Sequence, residues 1–181
     1  AELKVNVDYA DVSTVKIGVE NQYQLLQSGE TPKRVDFSAT LNDGTNPDTV
    51  FSWKFTNGAG EEVATASGKT ASYLPTAGEI YFATVTADGK SATVGFCADK
   101  ELLVYLNKYR VGTEEKIVVR ARYFDNSLPG KTAKAYVYDE GGNLISTTDL
   151  KPIRSKGIGE VNDTIAAIGK EGTFTLKVDV D

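Results

Sequence analysis

Paired carboxylates are the first chemistry to look for, because glycoside hydrolysis needs an acid and a partner carboxylate at a fixed separation. Glu61-Glu62, Glu114-Glu115 and Asp139-Glu140 are adjacent pairs of this kind. All three fall in expected turns, where carboxylates are solvated, and neighbours on a strand point to opposite faces. They read as surface charge. A second chemistry is that of an oxygen-rich loop: Asp43, Asn46 and Asp48 lie within six residues of one another, and calcium takes such ligands. Their spacing is not that of an EF-hand, and Asx residues also suit turns for backbone reasons alone. Calcium is therefore the one cofactor left open, with Asp125 and Asn126 as a second place for it.

The chain has no histidine and no methionine, and Cys97 is its single cysteine. Without histidine there is no Ser-His-Asp or Cys-His arrangement and no Cys/His zinc site. An internal disulfide is excluded, and Cys97, following Phe96 at the end of an alternating run, reads as a small apolar core residue. No catalytic residue is assigned, and the chain is expected not to be an enzyme. Nine tyrosines invite the idea of stacked sugars. Tyr105, Tyr123, Tyr136 and Tyr138 fall in alternating strands, however, where packing and cross-strand pairing also put them.

With 20 basic and 25 acidic residues the net charge is −5, which argues against a nucleic-acid partner. Lys151, Arg154 and Lys156 make the closest approach to a basic cluster and read as a solvated loop. No apolar run reaches the roughly 20 residues of a bilayer span, so no membrane insertion of this segment is expected. The sequence opens at Ala1 and closes within a strand-like run, as a segment of a longer polypeptide would.

The elements that must carry these residues are strands. Leu3, Val5 and Val7 alternate with Lys4, Asn6 and Asp8, the pattern of a half-buried strand. Similar runs cover 35–41, 50–55, 80–86, 92–96, 102–106, 117–123, 133–138 and 174–180. Turn residues separate them at Asn42-Asp43-Gly44, Asn57-Gly58, Asp88-Gly89, Pro129-Gly130 and Gly141-Gly142-Asn143. Asp88-Gly89 is the sharpest hairpin signal. Residues 163–170 offer only a poor helix, weakened by β-branched residues and Gly169. The expected fold is all-β, with two tandem immunoglobulin/fibronectin-like sandwiches, 1–99 and 100–181, divided at polar Asp99-Lys100 by a short, stiff linker.

Particular residues add resemblances. Phe51-Ser52-Trp53-Lys54-Phe55, then Leu74-Pro75-Thr76-Ala77-Gly78-Glu79-Ile80-Tyr81, resemble bacterial Ig-like and PKD-type modules, which implies a core role for Trp53. Leu103 to Thr113, the strand from Lys116 to Phe124, Pro129-Gly130-Lys131, Gly141-Gly142-Asn143 and Gly172-Thr173-Phe174 resemble the MG2-type domain of α2-macroglobulin-like proteins. The thioester cysteine and bait region of that family are absent, so protease trapping is not implied.

The tandem resembles modules of S-layer proteins and adhesins. What this implies is a non-catalytic structural or adhesive segment of a larger extracellular protein at the cell surface or cell wall. Its partners would be other surface-protein modules or a cell-wall polymer. The alternative is a carbohydrate-binding or accessory module of a secreted polysaccharide-active enzyme.

Overall fold

The computed structural model describes residues 1–7, 15–41, 48–127 and 129–181. It is all-β: seventeen strands form four sheets, with no helix among the described residues. The chain divides into two compact units, one of Ala1–Asp11 with Lys100–Asp181 and one of Val12–Asp99.

This differs from a 1–99 and 100–181 division at the N-terminal end. Strand β1 (Glu2–Val7) has the expected alternation, with Leu3 and Val5 buried, yet its ladder partners come from the far end of the chain. It runs antiparallel to residues 172–177 and parallel to Arg110–Val111. Alternation states which face is buried, not which strand lies alongside.

The Val12–Asp99 unit holds β2 (Val15–Glu20), β3 (Tyr23–Leu25), β4 (Val35–Leu41), β5 (Ser52–Asn57), β6 (Glu62–Ser67), β7 (Thr70–Tyr73), β8 (Ile80–Ala87) and β9 (Lys90–Asp99). They form a three-stranded sheet, β2-β4-β7, and a five-stranded sheet, β3-β9-β8-β5-β6. Strand β4 alternates strictly between buried and exposed residues, so its apolar face meets that of the larger sheet. Phe37 is one contact, its ring 5.8 Å from Trp53, 5.5 Å from Phe55 and 5.1 Å from Phe96, and Tyr73 of β7 is another, 5.3 Å from Phe55. Such tilted and edge-on pairs contribute beyond the area they bury. Trp53 is 2% exposed and its indole N–H donates to the Gly68 carbonyl at 2.9 Å, so its one polar atom is satisfied inside. Asp88 and Gly89 both take positive φ, 51° and 73°, and join β8 to β9 in the two-residue hairpin their types favour.

The other unit adds to β1 the strands β10 (Leu102–Leu106), β11 (Arg110–Val111), β12 (Ile117–Phe124), β13 (Ala133–Tyr138), β14 (Leu144–Leu150), β15 (Ile153–Ser155), β16 (Ile158–Ile165) and β17 (Gly172–Val180). Its sheets run β11-β1-β17-β13-β14 and β10-β12-β16-β15. Strands β12, β13 and β17 each bury alternate residues, as a sheet with one covered face requires. Residues 163–170 form no helix: β16 reaches Ile165, and 166–169 have no regular structure.

Candidate functional site

At least one carboxylate of each pair is engaged by neighbouring residues. Glu62 pairs with Lys54 at 3.5 Å, while Glu61 accepts from the Asn57 side-chain amide. Glu115 accepts from Lys108 and from the Gly112 N–H, and the Lys108 hydrogen bond lowers its pKa. Asp139 accepts from the backbone N–H and side-chain amide of Asn143, which lower its pKa. A general acid needs the opposite shift, produced by burial or a neighbouring negative charge.

The calcium loop falls largely outside the described residues, which include neither Asp43 nor Asn46; Asp48 is exposed. Among the described residues no three His, Cys, Asp or Glu side chains gather as metal ligands. The second place, Asp125, is occupied in another way. Its carboxylate is buried and accepts from the Ser127 N–H and the Lys131 N–H, each at 3.0 Å, and from the Ser127 hydroxyl. Those donors, the Ser127 hydroxyl foremost, hold its pKa down at about 2. A carboxylate surrounded by donors is a structural staple for the β12–β13 connection.

Cys97 is buried, and burial, with Asp99 adding to it, pushes its thiol up to about 12, far from the reactive thiolate range. The tyrosines separate into two groups. Tyr123 is 2% exposed and lies over Gly159, its cross-strand partner; a methyl group there would stand 2.3 Å from ring carbons. Its hydroxyl is buried without a hydrogen-bond partner among the described residues. Tyr105 is half-buried on β10. Tyr136 and Tyr138 lie half-exposed on one face of β13, opposite Lys177 and Thr175 of β17 and Thr147 and Leu144 of β14.

The structure also forms a recess that the sequence reading missed. Asp125, Asn126, Ser127, Arg154, Lys156 and Gly157 line about 370 Å³ of mostly polar space. Strand β15 contributes Arg154, whose guanidinium donates to the Ser127 carbonyl. Lys156 and Gly157 make the two-residue turn from β15 to β16, with φ of 52° and 77°. Of the basic trio, Arg154 and Lys156 thus line one opening, whereas Lys151 does not line it and gives its backbone N–H to the Asp163 carboxylate. Lys-Gly is not a customary primed-turn pair, so its residue types do not signal a hairpin. The Asp125-Asn126-Ser127 run was a usable signal, since Asp followed two residues on by Ser forms local side-chain to backbone bonds.

A wider hollow of about 750 Å³ lies over the outer face of β2-β4-β7, floored by Gly18, Ser38 and Thr70 in register, with Glu20 facing Asp36. No protein-family profile matches the chain, and no curated protein matches it.

Proposed function

We propose that this chain is a non-catalytic structural or adhesive segment of a larger extracellular cell-surface protein, acting as a spacer or protein-interaction module. The observation that carries this reading is that its polar chemistry serves its own turns. Asp125, Asp139 and Glu115 all accept backbone N–H groups nearby in sequence, and all have lowered pKa values. Residues so committed hold loops in shape. Most apolar side chains fill the interiors of two β units, with Val50 and Ile153 among those left exposed, and the outward positions of β4 carry Asp36, Ser38 and Thr40. Resemblance to Ig-like and MG2-type modules agrees with such a role.

The test is association: sedimentation of the full chain at rising concentration, and pull-down on isolated cell-wall material. Concentration-dependent self-association or retention on the wall is expected. A chain that stays monomeric at millimolar concentration and binds no wall fraction would remove the proposal.

The face of Tyr136 and Tyr138 favours a second reading, carbohydrate binding. Half-exposed rings present an apolar face to sugar C–H groups, while Lys177, Thr175 and Thr147 supply polar neighbours. Retention on insoluble polysaccharide that is lost in Tyr136→Ala with the fold intact is its expected signature.

A further inference from the structure

The recess between the β12–β13 connection and the β15–β16 turn carries an inference independent of the spacer reading. Three observations converge on it. The chain as a whole is acidic, at −5, yet two cationic side chains are brought to this one opening. Asp125, the carboxylate in the lining, has donors from Ser127 and Lys131, and the Arg154 guanidinium beside it offsets its charge. Among the described residues no carboxylate forms an ion pair with Lys156. Among its lining residues, Arg154 and Lys156 outnumber the one carboxylate, Asp125, by one charge.

The second observation is conformational. Among the described residues only Asn21, Asp88 and Lys156 are non-glycine residues at positive φ. Asn and Asp tolerate that region because their short polar side chains bond locally. Lysine has no such compensation, so a strained residue stands at the mouth of the recess, which is where strain is commonly tied to ligand contact. Asn at this position would make the easier turn, as Asp88 does before Gly89.

Third, Arg154 retains N–H groups beyond the one given to Ser127, so the guanidinium can still donate to an anion, and Gly157 leaves open the space beside the Asn126 side chain, where a Cβ would stand 2.7 Å from the amide oxygen. We propose that this recess binds an oxyanion, a phosphate group, through Lys156 and Arg154. Arg and Lys recognise phosphate by charge-assisted hydrogen bonds, Arg through its fork and Lys as a point charge.

Lys156→Asn tests the idea because it removes the cation while keeping the turn. Inorganic phosphate is titrated into the full ¹⁵N-labelled chain, following the amide signals of Asn126, Ser127 and Gly157, with sodium chloride at matched ionic strength as control. Saturable shifts are expected that weaken about tenfold in Lys156→Asn, the loss of one charge-assisted hydrogen bond, with the unfolding temperature held or raised. Arg154→Gln should weaken them similarly. A parallel titration with poly(glycerol phosphate) distinguishes the source: tighter binding per phosphate assigns a polymer-borne group, and equal binding assigns the free ion, either supporting the site. Absence of saturable shifts, or wild-type affinity in Lys156→Asn, overturns the proposal.

Discussion

Of the described glycines, Gly159 is the one most closely approached, by the ring of Tyr123. The ring covers the space that a side chain at 159 would need, and its hydroxyl lies buried without a partner among the described residues. Burial raises the pKa of that phenol, with the Asp125 charge adding to the effect. An unpaired buried hydroxyl costs roughly 1–3 kcal/mol, so Tyr123→Phe should unfold at equal or higher denaturant, gaining about 1 kcal/mol. Gly159→Ala should lose about 1–3 kcal/mol through overpacking. Urea titration of both variants checks the pair, and a destabilised Tyr123→Phe would mean that the hydroxyl has a partner after all. At this scale the sequence was partly legible. The core role of Trp53 followed from its apolar neighbours on one face, while the unequal roles of four tyrosines depended on which face each strand turned inward.

Strands and their connections were legible where alternation was strong. The runs 35–41, 102–106 and 133–138 coincide with β4, β10 and β13. Less patterned strands escaped, as with β14, whose residues are nearly all exposed and so give no period to read. The β12–β13 connection shows how a connection is held. Asp125 accepts from Ser127 and Lys131 across it, and its folded pKa of about 2 lies below the unfolded value near 4. Ionised Asp125 therefore stabilises the fold above about pH 4, and that contribution is lost as pH falls toward 2. Asp125→Asn should flatten the fall in stability between about pH 4 and 2, seen in urea midpoints at each pH. An unchanged acid limb would show that other carboxylates govern it.

In the whole molecule the main departure from the sequence reading is the place of β1. Its residues bury Leu3 and Val5 in the unit that otherwise begins at Lys100. Deleting residues 1–7 should therefore destabilise the Lys100–Asp181 part while leaving the Val12–Asp99 part intact. Burial of those two side chains alone is worth roughly 3–6 kcal/mol, a large share of the stability of a small domain. Hydrogen exchange resolved by residue checks this: faster exchange in β10 to β17 with unchanged protection in β4 to β9 is expected. Loss of protection in β4 to β9 instead would place β1 with the other unit. Pairing over more than 160 residues of sequence leaves no local mark, which is why composition and period could not reveal it.

The same ladder fixes a mechanical property. Ala1 exchanges hydrogen bonds with Val178, and β1 then runs antiparallel to β17. Tension between residues 1 and 181 would act on the Asp181–Thr132 pair and on the open end of this ladder, parting its bonds one after another rather than shearing them together. The 85-residue stretch from Val15 to Asp99 is then off the load path until β1 has peeled away. At low force, the two units would not share the strain as links in series do, and the Val12–Asp99 unit would act as a reserve of length.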